Sequence, residues 1–329
     1  TSSVETAMDP LKRRSVDTTL PYLALYVLSG ACQPLLMCEL HSAGLGDSRC
    51  QLYMVPYYLG MSCTGLLHLC TKSTDKVPSL TALLPCTLVA LFGITAQSLN
   101  WAGNMRAGSS IFAVVYASVT IWSALLSRLL LQRRLSRRQW LSILGVFCGL
   151  ALTGLDAKSL GSEVFAGSLM IAAGTILHAT CHTLSELISV RGYRIPAHLN
   201  ACLQGLTGCM VVGTWQLFFT TSHWQRIAGP VEEAGSSWAF CLTLLTALAL
   251  SNFVHAGSFF HLLTKVGVVS TGVAKALQGV LVFVLSHLFY CQHDESQCFS
   301  PVKGVSLLVV ISGVLVYVAS SASSKGPES

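Results

Sequence analysis

The chain has 329 residues, of which 52% are hydrophobic and only 10% charged, with a formal net charge of +6 and a mean hydropathy of +0.62. Soluble domains usually carry about a quarter charged residues. So little charge cannot coat a water-facing globule, and lipid is the expected solvent. The cations are too sparse and too confined to short turns for a nucleic-acid groove.

In chain order, a polar tail over 1–17 carries a basic knot at Lys12, Arg13 and Arg14. No short apolar stretch with a small-residue cleavage site precedes the first long apolar segment, which is expected to stay in place as an anchor. A spanning helix needs about 20 mainly apolar residues. Segments of that kind fall at 18–38, 51–71, 79–101, 108–131, 139–155, 164–190, 197–221, 237–263, 269–291 and 304–322. Lys and Arg collect on the cytoplasmic side of membranes. With the N-terminus inside, the inner segments hold 13 of the 20 and the outer segments 5, while Arg128 and Lys275 fall within spans. The expected fold is an all-α membrane protein of ten transmembrane helices with both termini cytoplasmic.

The second half repeats the first. At an offset of 159 residues Gly108 meets Gly267, Val114 meets Val273, Ala117 meets Ala276 and Ser127 meets Ser286. Trp101-Ala-Gly-Asn104 is similar to His255-Ala-Gly-Ser258 at a slightly shorter offset. Five spans per copy is an odd number, so the second copy enters the membrane from the opposite side. Inverted repeats of this kind are a transporter architecture with its site near the midplane. The expected division is a tail (1–17), a first five-helix repeat (18–158), a second (159–322) and a tail (323–329).

The run from Tyr116 to Trp140, continuing to Gly145, Gly149 and Gly154, resembles the fourth-to-fifth-helix signature of the drug/metabolite transporter superfamily. Within it the likeness is to the nucleotide-sugar-transporter and EamA-like group, solute carrier family 35. The matching second-half stretch runs from Lys265 to Tyr290. The resemblance implies secondary transport, often exchange, of nucleotide sugars, sugar phosphates or other organic solutes, in the Golgi or a related endomembrane. It also implies that a basic residue on the ninth helix meets the anionic part of the solute, which carries over to Lys275.

The residues themselves point the same way. Lys275 lies about seven residues into the ninth span, and a charge there costs at least ~2.5–3.5 kcal/mol. It faces either a solute phosphate or carboxylate, or Glu186, or it snorkels to the near interface. Tyr116 holds the equivalent repeat position, suited to stacking or hydrogen bonding a solute, or to plain helix packing; Thr120 shares its face. Thr271 and Gln278 share the Lys275 face. Gln97, Asn100 and Asn104 lie on one face of the third span, with Asn100 directed to the solute and the others to neighbouring helices. His178, His182 and Glu186 form a stripe in the sixth span. That stripe suits structural hydrogen bonding, substrate or proton work, or an incomplete metal site.

Most of the 13 cysteines fall inside spans, where thiols behave as small apolar groups. Cys291 and Cys298 bracket the last outer loop and are candidates for a disulfide. Neither a catalytic motif nor a phosphate loop is present, so an enzyme is not expected, and no cofactor or resident metal is expected. Expected partners are a small-molecule solute and membrane lipid, with a homodimer as a further option. Two rival readings stand: a carrier of cationic or neutral solutes, and a non-transporting receptor or assembly factor on the same fold.

Overall fold

The computed structural model describes residues 10–70, 80–131, 135–188 and 195–323. The chain ends and residues 71–79, 132–134 and 189–194, which hold many of the cations expected on the inner side, lie outside the described residues. The described residues contain eleven α-helices, and no strand occurs among them: α1 (Pro10–Leu40), α2 (Met54–Ser62), α3 (Thr64–Cys70), α4 (Leu80–Ala117), α5 (Val119–Leu131), α6 (Arg137–Leu160), α7 (Ser162–Glu186), α8 (Ala197–Trp215), α9 (Gln225–Glu233), α10 (Trp238–Tyr290) and α11 (Pro301–Ser323).

Seven helical stretches, not ten, are individually long and apolar enough to cross a membrane among the described residues. The difference has identifiable causes. The predicted span 51–71 is divided between α2 and α3, each too short alone. The predicted spans 79–101 and 108–131 merge into one apolar stretch of 48 residues, Leu83–Leu130. At 1.5 Å per residue that is about 72 Å, more than twice the ~30 Å hydrocarbon core. Gly108 interrupts it, with φ 82° and ψ 158° inside the α4 run. The ninth predicted span is represented by a shorter apolar helix, Ala274–Tyr290.

The polarity is inside-out relative to a soluble protein. Leu129, Phe218 and Leu69 are 74%, 78% and 74% exposed, while Gln97, Asn100, Asn104 and Asn252 are buried. Lipid makes no hydrogen bonds, so amides and hydroxyls must turn inward to find partners. The chain is a multi-pass integral membrane protein.

Local signals set the helix ends. Ser136 and Gln139 form a reciprocal capping box at the start of α6, and the Ser237 side chain accepts from the Phe240 amide at the start of α10. Gly161 separates α6 from α7. The helices then pair α1 with α10, α2 with α8, α4 with α7 and α6 with α11. The α6–α11 seam uses reciprocal glycines. A Cβ on Gly149 would lie 2.7 Å from Val310 Cγ2, and one on Gly313 would lie 2.6 Å from Val146 Cγ2. Close approach of this kind replaces the hydrophobic drive that lipid removes.

Two connections are tied down by polar contacts. After the π turn His41–Leu45, Asp47 accepts from the Arg49 and Cys50 amides and from the Arg226 guanidinium, at 2.7 Å for Nη2. Burial pushes the Asp47 carboxyl up, but those amide and guanidinium donors outweigh it and hold the group below its ordinary value. A depressed folded pKa means that this contribution is complete above the unfolded value of ~3.9 and fades as pH falls through the lower folded value. Arg226→Ala is therefore expected to move the acid-unfolding midpoint upward, read by circular dichroism between pH 5 and 2, on the order of the titration window.

The second connection joins α10 to α11, where Cys291 and Cys298 are disulfide-bonded. Lys303 Nζ donates to the Ser296 and Cys298 carbonyls at 2.9 and 3.0 Å, and lies 3.9 Å from the Asp156 carboxylate. Gln297 points inward, its Oε1 within 3.0 Å of the Ser109 hydroxyl and 2.5 Å of the Ser286 hydroxyl. Both bonded thiols are expected to resist maleimide until a reductant is added. Cys298→Ser is expected to cost about 2.5 kcal/mol, the loop-closure value for a bridge this short, read as a lower unfolding midpoint in detergent. Full labelling without reductant would contradict the bridge.

Candidate functional site

Polar groups buried among apolar helices either pair with one another or face an interior cavity. Such a cavity, about 100 Å³, lies among α1, α2, α4, α7 and α10. Its polar lining is mainly amide, imidazole and phenol, with the Ser185 hydroxyl, the Cys181 thiol, the Trp101 indole and one ammonium, that of Lys275; among the described residues no carboxylate lines it. A dry cavity of ~150 Å³ takes benzene, so this hollow of about 100 Å³ is smaller than one ring fills.

Lys275 comes from the ninth predicted span, in α10, and is 8% exposed. Its Nζ sits 4.8 Å from the Tyr116 ring centre and 5.2 Å from that of Tyr26. Aromatic faces attract a cation by about 2 kcal/mol or more when it is desolvated. No carboxylate lies within 4.0 Å of it among the described residues, so the pairing with Glu186 left open by the sequence is absent. The ammonium is held by ring faces and stays available to an anion.

Tyr116 and Asn100 converge on one histidine. The Tyr116 hydroxyl is 2.9 Å from His178 Nδ1, and Asn100 Nδ2 is 3.1 Å from the same nitrogen. The phenol and the amide thus share one imidazole nitrogen. Asn100 Oδ1 is buried without a hydrogen-bond partner. Gln97 accepts from Tyr57 at 3.3 Å, and Asn104 donates to the Pro34 carbonyl at 3.2 Å. Gln278 lines the hollow but spends its amide on the Tyr26 carbonyl, at 2.6 Å.

A smaller hollow, about 10 Å³, adjoins Lys275 and is lined also by Thr120, Ser123, His182 and Thr271. That volume is about one water probe. The Thr120 and Ser123 hydroxyl oxygens are buried without hydrogen-bond partners. Lys275 thus separates an amide-rich hollow from a hydroxyl-lined one.

The predicted stripe on α7 divides. His178 and His182 stack at 5.1 Å and both line the hollow, whereas Glu186 ends α7 and lines neither hollow. No metal-binding cluster occurs among the described residues. Residues missed from the sequence are Tyr26, which stacks on His255 at 4.6 Å, and the amide pair Gln33 and Asn252, bonded at 3.1 Å. His255 had a signal, since it opens the stretch matching Trp101-Ala-Gly-Asn104. Tyr26 had none, being one aromatic in an apolar helix.

Residues 52–155 match the EamA-like transporter family. The chain is 26% identical to solute carrier family 35 member F6 of Mus musculus over 293 residues, covering 83% of this chain and 75% of that protein. It is 26% identical to the Rattus norvegicus protein of that name over 247 residues, covering 69% and 64% of the two. With the Homo sapiens protein it shares 34% over 104 residues, 30% of this chain and 28% of that one. A crystal structure of a protein 16% identical in sequence superposes with a TM-score of 0.54 over 89% of this chain and 97% of the other, a likeness of fold. These matches agree with the drug/metabolite transporter superfamily and its solute-carrier-35-like group, whose members are membrane transporters and not enzymes.

Proposed function

We propose that the chain carries a small anionic organic solute across an endomembrane, of the Golgi or a related compartment, by alternating access and in exchange for a second anion. The observation that carries this reading is Lys275: buried, with no carboxylate beside it among the described residues, and lining an amide-rich hollow. A protein retains an unpaired intramembrane cation at a cost, and a bound phosphate or carboxylate offsets that cost. An unloaded carrier would move the ammonium with only ring faces to hold it. The loaded carrier is the cheaper one to reorient, which favours exchange over net flow. Sugar phosphates and nucleotide sugars fit the chemistry; at about 100 Å³ the hollow admits them only as the bundle parts.

The proposed frame is ten spans in two inverted repeats, 18–158 and 159–322, with the tails 1–17 and 323–329 cytoplasmic. Helix pairing supports it. Under exchange of the halves α2 corresponds to α8 and α6 to α11, and each packs on its counterpart. The first half of α4 corresponds to the first half of α10, and α1 to α7; α4 packs on α7 as α10 packs on α1.

Purified protein in liposomes preloaded with sugar phosphates, nucleotide sugars, carboxylates or amines provides the test. Uptake of a labelled anion is expected only when a related anion is inside. Uptake confined to amines, or none from any of these solutes by folded protein, defeats the proposal.

A further inference from the structure

A second cavity of about 640 Å³ opens on the flank of the bundle and shares no lining residue with the central hollow. The loop before α2 with Met54 at the helix start, the α4 residues Ile94 and Ser98, and the last turns of α8 with the π turn after it form it. Its walls are apolar and face outward: Val211, Trp215 and Phe218 line it and are 41%, 48% and 78% exposed. The membrane stretch that supplies them, Ala197–His223, is the least buried of the seven, at 22%. A π turn, Gln216–Thr220, ends this helix at the cavity; such wide turns recur at functional sites.

One end of the cavity is polar. Arg49 lines it, is exposed, and its guanidinium forms no ion pair with a carboxylate among the described residues. Its nearest acid in sequence, Asp47, is already engaged by Arg226 and by two backbone amides. The Gln216 Oε1, at the same end, is buried without a partner. Trp215 donates its indole N–H to the Arg49 carbonyl at 2.9 Å, which fixes the loop to the helix. Trp215 ends α8 and, in the connection that follows, Trp224 stacks on Trp238 at 5.5 Å; rings of this kind concentrate at membrane–water interfaces.

We propose that this cavity binds a glycerophospholipid, with the phosphate on the Arg49 guanidinium and an acyl chain lying along α8. The guanidinium fork matches phosphate oxygens in two-point geometry. The apolar wall begins where that headgroup would end, and the charge at its mouth is the complement of a phosphodiester. The proposal does not depend on what the central hollow carries.

The full chain in detergent tests it by native mass spectrometry and thermal shift with three probes. Dioleoyl phosphatidylglycerol has both phosphate and chains, dioleoylglycerol has the chains alone, and glycerol 3-phosphate has the phosphate alone. Only the phospholipid is expected to form a 1:1 adduct and raise the melting temperature. Arg49→Gln, a change at an exposed side chain, is expected to weaken that binding by about tenfold or more, the loss of a charge-assisted hydrogen bond. Val211→Trp, filling the cavity from an exposed position, is expected to abolish the adduct while leaving the lipid-free melt unchanged. Equal stabilisation by dioleoylglycerol, with Arg49→Gln indistinguishable from the parent, overturns the proposal in favour of a non-specific lipid annulus. Equal binding of glycerol 3-phosphate overturns it in favour of a soluble-anion site.

Discussion

Replacing Lys275 with Gln is expected to lower uptake of the native solute by about 10- to 100-fold, the value of a charge-assisted contact of ~1.5–3 kcal/mol. Lys275→Arg is expected to recover only part of it. The ammonium occupies a slot between two tyrosine rings at 4.8 and 5.2 Å, and a planar fork does not take the place of a compact point charge there. Stability separates this role from a structural one. An ion-paired structural lysine lost to glutamine destabilises, because its partner is left buried and alone. Lys275 has no such partner among the described residues. Its neutral replacement is therefore expected to hold or raise the unfolding midpoint while transport falls. Full uptake by both variants would remove Lys275 as an anion contact.

Gly108→Ala is expected to destabilise the protein by about 2–4 kcal/mol, the sum of a disfavoured backbone and a steric collision. The φ of 82° with ψ of 158° lies where L side chains are rarely found. An added Cβ would also stand 2.5 Å from Gln297 Nε2 and 2.7 Å from Ser296 Oγ. Gly145→Ala is the control. Nothing lies within 4 Å of its Cβ, and α6 gains helix propensity of up to ~1 kcal/mol. Unfolding midpoints in one detergent measure both. Equal midpoints for the two alanine variants would mean that the backbone break at Gly108 carries no strain to relieve.

The fold was legible where hydropathy alone decides it. An apolar run of 20 residues has few options in lipid, and the helical class follows from backbone hydrogen bonding. The count of individually spanning helices was less so. α2 and α3 part at Cys63, inside an apolar run whose hydropathy does not change there, and Leu83–Leu130 reads as one apolar stretch because Gly108 interrupts geometry without interrupting hydropathy. In the site, Lys275, Tyr116 and Asn100 were visible because polar groups stand out against an apolar background. The repeat offset singled out Tyr116 as the counterpart of Lys275, and the two do meet in space. Glu186 was grouped with His178 and His182 by helical spacing. Spacing gives a common face but not which of its side chains reach the cavity: on α7 the lining includes His178, Cys181, His182 and Ser185 but not Glu186. Tyr26, Gln33 and His255 enter from helices distant in sequence, a matter of tertiary packing.

The corner held by Lys303 has a mechanical consequence. Its ammonium grips carbonyls on both sides of Gln297, the bridge between Cys291 and Cys298 shortens the same segment, and Gln297 is wedged against Ser109 and Ser286. Withdrawing the wedge part-way would strand its amide oxygen away from water, so there is little to gain from a half-open position. Parting of the helices at that rim should proceed by a threshold, closed or open, with the stapled segment travelling as one stiff piece.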